Sequence, residues 1–178
     1  PLTWMANDNP TTGDADDLND HWSHDRHSRE RVLLANRLVD LAQRTQARVT
    51  LVSGDVHVAA WGCLERRGGP NNGARVNQVT STAVVHPTPA GVGAKLFLWY
   101  LDQAGRKVQD LDNRHLARMM AFPGSNQVIK PARNWVALEC TAAGDLWASW
   151  RTEARSGFDN HEAVVHAFAA NAPQDGSG

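Results

Sequence analysis

Apolar positions recur every three or four residues through the stretch 28–45, with polar residues between them. They are Val32, Leu34, Ala35, Leu38, Val39, Leu41 and Ala42. This helical period predicts an amphipathic helix that packs one face against the rest of the molecule. We expect the helix to begin near Ser28, which would act as the N-cap with Glu30 in the first turn, and to end near Thr45.

An apolar, β-branched run over residues 48–53 follows this helix after a very short connection. Val49, Leu51 and Val52 predict that the run is a buried strand. Gly54 comes directly after it, and we expect the backbone to turn sharply at this glycine. A helix joined so closely to a strand is typical of the αβ unit of an α/β protein.

Two hairpins are predicted in the rest of the chain. Residues 56–66 and 75–85 are expected to be extended, and the glycine- and asparagine-rich stretch 68–73 predicts that they form a hairpin-like pair. Residues 134–150 predict a second hairpin, whose turn lies at 141–145.

The remaining segments carry weaker patterns. Residues 93–104 predict a helix, because their large apolar side chains are too crowded for the alternation of a strand. We expect 105–130 to be mostly irregular, with a short helix around 115–120. Residues 1–27 are polar, acidic and turn-rich, and 171–178 are expected to be a disordered tail.

Composition limits the class of protein. The chain has 178 residues, 42% of them hydrophobic, which suits one domain with a core. Its net charge of −1 argues against a general nucleic-acid or anionic-membrane binder, and no apolar run approaches the roughly 18 residues that span a bilayer. Cys63 and Cys140 could pair, but two cysteines in a chain of this size are more often buried thiols, and they indicate no compartment. The opening Pro1-Leu-Thr-Trp-Met is neither a signal peptide nor an initiator sequence, so we expect a cut inside a longer chain.

Two side chains that can bind metals follow the strand at 48–53. Asp55 and His57 stand two residues apart at its carboxyl end, where ions and ligands usually bind in open α/β sheets. A carboxylate and an imidazole in this position could reach one ion or an adjacent pair. The alternative is a solvated loop aspartate beside a histidine that is satisfied by hydrogen bonds.

Three other histidines recur every third residue in an acidic, aromatic context. His21 and His24 would share one face of a helix, whereas His27 would lie about 120° away, so chelation by all three needs a distorted backbone. The alternatives are therefore a local zinc site and a set of exposed loop histidines.

Several short motifs stand in a fixed order along the chain. They are Asp16-Asp-Leu-Asn-Asp-His-Trp22, Arg29-Glu-Arg31, Val52-Ser-Gly-Asp-Val-His57, Gln78-Val-Thr-Ser-Thr82, Val85-His-Pro87 and Arg133-Asn-Trp135. In this order and spacing they resemble the PhoD-like (alkaline phosphatase D type) metallophosphatases of the calcineurin-like phosphoesterase superfamily. The similarity runs from Asp16 to Glu153 and covers only the carboxyl-terminal portion of such an enzyme. We expect residues 1–170 to be that portion of the domain.

The resemblance implies both a fold and an activity. The fold is the carboxyl-terminal part of an α/β/β/α four-layer sandwich, in which two sheets pack face to face between helices. The activity is that of a metal-dependent hydrolase of phosphate mono- or diesters, in which two ions (iron, manganese, zinc or calcium) activate a hydroxide. The resemblance implies that His57 binds one metal ion, and that Asp55 binds the other or a water molecule on it.

The position of Asp55-Val-His57 within the family pattern decides which ligands are missing. The superfamily's opening Asp-x-His motif is followed by Gly-Asp-x-x-Asp and Gly-Asn-His, and residues 58–178 contain neither. The segment therefore matches the closing motif. Gly13-Asp-Ala-Asp-Asp17 has the letters of Gly-Asp-x-x-Asp, but no strand precedes it, and we interpret it as a chance match.

It follows that this chain lacks the first half of the ligand set. We expect the isolated chain to be inactive and to require the amino-terminal half of the same enzyme as a partner. The alternative is a non-catalytic module that binds at most one weakly held ion or serves as a packing partner.

Two further residues are candidates for binding the phosphate ester substrate. His86 follows the strand next to the Asp55 strand and could lie on the same rim, or it could be a turn histidine before proline. Arg75, like Arg133, could offer a forked pair of donors to phosphate oxygens, or it could be a solvated surface arginine. No residue is assigned as a catalytic nucleophile.

Overall fold

The computed structural model describes residues 27–55, 58–67, 73–85 and 91–167. These residues form two helices, α1 (Ser28–Thr45) and α2 (Val92–Gly105). The strands are β1 (Val49–Asp55), β2 (Ala59–Arg66), β3 (Arg75–Thr82), β4 (Gln109–Asp110), β5 (His115–Met119), β6 (Ile129–Lys130), β7 (Asn134–Cys140), β8 (Leu146–Glu153) and β9 (Phe158–Val164).

The strands form two sheets. The larger has six strands in the order β1-β3-β2-β5-β4, with β6 pairing to β2. Its β1–β3 pair is parallel and its other pairs are antiparallel. The smaller sheet is the antiparallel set β7-β8-β9. Within the described part of the chain, β1 is therefore an edge strand of the larger sheet.

The larger sheet separates the helices from the smaller sheet. On one face, Ala35 and Val39 of α1 pack against Leu64 and Val76. Leu98 and Leu101 of α2 pack on the same face, against Ala60 and Ile129. On the other face the core consists of Ala59, Trp61, Val79, Phe122, Ala148, Trp150, Ala163 and Val165. The described residues thus form three layers, helices, sheet and sheet, which confirms a mixed α/β protein.

Helix α1 has the predicted bounds, but its N-cap and part of its buried face differ from the prediction. His27, not Ser28, occupies the N-cap position, and no side chain caps the helix, so the expected Ser28 cap is wrong. The buried positions are Arg31, Ala35, Val39 and Ala42, whereas Leu41 is exposed. Ala35, Val39 and Ala42 are the most deeply buried of these, and all three belong to the apolar stripe that the sequence predicted.

Strand β1 departs from the prediction in two respects. It does not turn at Gly54 but continues to Asp55, in register with Thr82 of β3. Val52, expected to be buried, has 62% of its surface exposed. Alternation along a strand turns Val52 away from Leu51, which contacts the α1 core, and toward a side of this edge strand that remains open to solvent.

The stretch 105–130 is mostly irregular, as predicted, but the short helix expected around 115–120 is wrong, because residues 115–119 form a strand. It contains β4, β5 and β6. Strand β5 forms because β2 offers it an antiparallel partner from Gly62 to Arg66, a pairing that local propensity does not encode. Strand β9 was also not anticipated, whereas helix α2, the β2–β3 pair and the β7–β8 hairpin are confirmed.

Other expectations have mixed outcomes. Cys63 is a buried free thiol as expected, but Cys140 is exposed, because it lies at the end of the β7 hairpin strand. Neither described helix combines the length and apolar character that a bilayer crossing requires. The acidic stretch before residue 27, most of the 68–73 turn and the tail at 171–178 lie outside the described residues.

Candidate functional site

The candidate site lies at the carboxyl end of β1. Asp55 is the last residue of this strand and pairs with Thr82, the last residue of the parallel strand β3, so the two strands end at one edge of the sheet. The Oδ1 atom of Asp55 accepts a hydrogen bond from the backbone N–H of Val58, at 3.0 Å. This bond holds the half-buried carboxylate in the connection that leads from β1 to β2.

A hydrogen-bonded network lies directly behind Asp55. Gln78 Nε2 donates to Ser53 Oγ at 3.0 Å, and Ser53 Oγ shares a hydrogen bond of 2.9 Å with Thr80 Oγ1. Two-residue alternation places Ser53 and Thr80 on the same face of the sheet as Asp55 and Thr82. The network joins β1 to β3 just before their shared end, so it holds the strand that carries the carboxylate.

Asn134 connects this edge to the smaller sheet. Its buried side-chain Oδ1 accepts hydrogen bonds from Ser81 Oγ at 2.9 Å and from Thr82 N at 3.2 Å, and its Nδ2 donates to Ala132 O at 2.8 Å. The sequence offered a signal for this residue only as the middle of Arg133-Asn-Trp135. Its role in joining the two sheets could not be seen without the fold.

Arg133 is engaged in an ion pair on the surface. Its Nε donates to Glu153 Oε2 at 2.8 Å, and its Nη2 also contacts that carboxylate. The hydrogen bonds that Arg133 donates to Glu153 raise the pKa of Arg133 and lower the pKa of Glu153. The forked donor pair of this guanidinium is thus already directed at a carboxylate of the same chain.

Arg75 lies at the other end of β3. It is the first residue of that strand, seven positions before Thr82, which corresponds to about 23 Å along an extended strand. Only 4% of it is exposed, and its Nε donates to Glu65 Oε1 at 2.7 Å. The fold therefore does not bring Arg75 to the edge that holds Asp55.

The other predicted site residues lie outside the described residues. This is true of His57 and His86, and also of His21 and His24. Within the described ranges, no group of three or more His, Cys, Asp or Glu side chains is placed to hold a metal ion. One carboxylate alone does not make a metal site, so the described residues fit at most a part of one.

Comparison with known proteins indicates a family. A family model described as PhoD related phosphatase matches residues 7–120, which is more than half of the chain. A protein of Saccharomyces cerevisiae described as uncharacterized is 47% identical over 47 residues, which are 26% of this chain and 7% of that protein. The chain thus spans a small part of the length of the curated relative it matches. No solved structure matches it significantly.

Proposed function

The chain belongs to the family of PhoD related phosphatases, and from this premise we propose that it forms part of a metal-dependent phosphoesterase. In this proposal Asp55 and His57 are its contribution to a binuclear site, as in the closing motif of the family that it resembles. The observation that carries the proposal is the family match over residues 7–120, which include both side chains.

The position of Asp55 supports this role. The carboxylate stands where two parallel strands end together, which is the usual location of ligands in α/β sheets. The Gln78–Ser53–Thr80 network and Asn134 hold that edge from both faces of the sheet. Metal ions bound there would activate a hydroxide and neutralise the oxygens of a phosphate ester.

We further propose that the amino-terminal half of the enzyme completes the domain at the edge of β1. Within the described residues β1 pairs on one side only, with β3, and Val52 of this strand is largely exposed. An edge of this kind is a template for another strand. A strand added there would extend the larger sheet beside Asp55 and contribute to the four-layer sandwich that the resemblance implies.

A second candidate function is a non-catalytic packing module. It is favoured by the observation that the described residues gather no set of three metal-binding side chains. The two proposals differ in what the chain does when it is joined to the amino-terminal half. The first requires hydrolysis and bound metal that depend on Asp55 and His57, and the second requires neither.

The test is metal analysis together with hydrolysis of nitrophenyl phosphate. The 178-residue chain alone should show little turnover, and the chain joined to the amino-terminal half should hydrolyse the ester. In the joined protein, Asp55→Ala and His57→Ala should each lower the rate by more than about 100-fold and reduce the metal content. Loss of a metal ligand should lower activity more than loss of a residue that only hydrogen-bonds to a ligand.

The matched control is Asp40→Ala, which removes an exposed carboxylate of α1 that pairs with Arg66. This variant should keep both metal and rate. Hydrolysis that persists unchanged in Asp55→Ala and His57→Ala would contradict the proposed site. An inactive, metal-free joined protein would favour the packing module.

A further inference from the structure

Polar side chains gather at the end of the sheet that is remote from Asp55. Thr50, Arg75 and Asn77 lie on the face of β1 and β3 that points toward the smaller sheet. Arg48 directly precedes β1, and its charge, like that of Arg75, acts on His166. Four buried side-chain atoms of this group lack a hydrogen-bond partner among the described residues. They are Arg48 Nε, Thr50 Oγ1, Arg75 Nη1 and Asn77 Oδ1.

A third arginine joins the group from strand β5. Arg118 is in register with Cys63 and points to the same face, with its Nη2 3.3 Å from Glu65 Oε2. Arg75 contacts the other oxygen of this carboxylate. The Nε atom of Arg118 is also buried without a partner in the described part of the chain. Arg75 and Arg118 therefore hold one carboxylate between them, and Arg48, Arg75 and Arg118 each have a buried donor that no described residue engages.

The segments that cover this cluster present acceptors to it. The turn after β7 supplies Gly144 O, which accepts from Arg48 Nη1 at 2.9 Å. The segment after β9 supplies His166 O, which accepts from Asn77 Nδ2 at 2.7 Å. Burial and the nearby charges of Arg75 and Arg48 lower the pKa of His166, against a smaller opposing effect of Asp145. The imidazole therefore experiences an excess of positive charge.

The cluster is deep on one side and open on the other. Arg75 is almost completely buried, whereas the Arg118 side chain is 40% exposed and Arg48 is half-buried. Buried donors are stable only when an acceptor satisfies them, and guanidinium groups form their strongest hydrogen bonds with oxyanions. Arg118 and Arg48 therefore form the side of the cluster that is exposed to solvent.

We propose that Arg48, Arg75 and Arg118 form a binding site for a small oxyanion of the phosphate class, at the opposite end of the sheet from Asp55. Glu65 is the internal counter-charge of this site and competes with the bound anion for Arg75 and Arg118. The site goes beyond the proposed function, since it needs no metal ion and does not include Asp55 or His57.

Isothermal titration of the 178-residue chain with inorganic phosphate tests this proposal, in EDTA and at constant ionic strength. A single binding event is expected. Arg118→Gln and Arg48→Gln should each weaken binding by about tenfold or more, since each removes a charged donor. Glu65→Gln should strengthen binding, because it removes the competing carboxylate. The matched control, Arg133→Gln, removes an arginine that Glu153 already pairs and should leave binding unchanged.

Arg75→Gln should abolish binding if the variant folds, as judged by circular dichroism. If it does not fold, Arg118→Gln and Arg48→Gln still test the proposal, because these two arginines are partly exposed. The proposal is overturned if phosphate does not bind, or if Arg118→Gln and Arg48→Gln bind it as the control does. An equal loss of phosphate binding in Asp55→Ala would place the anion at the other end of the sheet. None of these results affects the metal-dependent hydrolysis on which the proposed function depends.

Discussion

At the scale of single residues, hydrogen bonds between neighbours in sequence hold one carboxylate at the start of β5. The carboxylate belongs to Asp112, whose Oδ1 accepts the backbone N–H groups of Arg114 at 2.8 Å and His115 at 2.7 Å, and the ring Nδ1 of His115 lies 3.0 Å away. His115 is completely buried and begins strand β5. The carboxylate thus fixes both the loop before β5 and the imidazole that enters the core.

This arrangement predicts a dependence of stability on pH. Burial acts to raise the pKa of Asp112, but the N–H groups of Arg114 and His115, together with the His115 ring, outweigh it and lower the pKa below the ordinary value of 3.8. A carboxyl group whose pKa is lower in the folded state stabilises the protein above its unfolded pKa. That contribution is lost as the pH falls below about 4 toward the folded pKa.

The test is urea unfolding of the protein and of Asp112→Asn at a series of acidic pH values. We expect the free energy of unfolding of the variant to be lower at neutral pH and to fall less steeply below about pH 4. Parallel curves for the two proteins would contradict the role assigned to this carboxylate.

At the scale of elements, helix α2 is held by one polar anchor as well as by apolar packing. Several of its large apolar side chains are exposed, namely Val92, Leu96, Phe97, Trp99 and Tyr100. Asp102, only 7% exposed, accepts the backbone N–H of Val128 at 2.8 Å and of Ile129 at 3.3 Å, and pairs with Arg106. The carboxylate attaches the helix to the start of β6, beside the contacts of Leu98 and Leu101.

Removal of this anchor should be costly. Asp102→Ala leaves two buried N–H groups without their acceptor, and we expect a loss of about 2–4 kcal/mol in the free energy of unfolding. Asp102→Asn keeps an acceptor oxygen and should cost less. The control, Asp40→Ala, breaks an exposed ion pair with Arg66 and should cost under about 1 kcal/mol. Urea denaturation measures all three, and equal losses for Asp102→Ala and Asp40→Ala would refute the anchor.

At the scale of the whole molecule, the two sheets are held together by an aromatic core. Trp150 of β8 is completely buried. Its ring centroid lies 5.2 Å from that of Phe122, in an edge-to-face arrangement, and 6.1 Å from that of Trp61 of β2. Its Nε1 donates to Thr80 O at 3.2 Å, so the indole also bonds to the backbone of the larger sheet. The same packing keeps Asn134 of the smaller sheet against the edge that carries Asp55.

We therefore expect Trp150→Ala to destabilise the protein by about 3–5 kcal/mol, through both the cavity and the lost hydrogen bond. Trp135 lies on the neighbouring strand β7 and is 47% exposed, so Trp135→Ala is the matched control. It should cost less than about 1 kcal/mol. Thermal unfolding of both variants provides the measurement. A larger loss for Trp135→Ala would mean that the sheets do not pack through Trp150.

The candidate site was only partly predictable from the sequence. Asp55 could be placed at a strand end because the apolar run before it is local and unbroken. The partner of Arg75 could not be predicted, because Glu65 meets it only through the antiparallel register of β2 and β3. The parallel register of β1 and β3 places Arg75 far from Asp55, although both belong to strands that were correctly predicted. The roles of Asp55, His57, His86 and Arg75 in binding stay predictions.

Local patterns in the chain were sufficient for α1, α2, the hairpins and the order of motifs that indicates the family, since each depends on neighbours within a few residues. The exposure of Val52, the strands between 105 and 130 and the arginine cluster around Glu65 depend on tertiary structure. They arise from pairing between strands that are distant in sequence, which no local period records. Asp55 accordingly remains where its motif predicted, at a strand end, while the fold alone decided that this strand lies at an open edge of the described sheet.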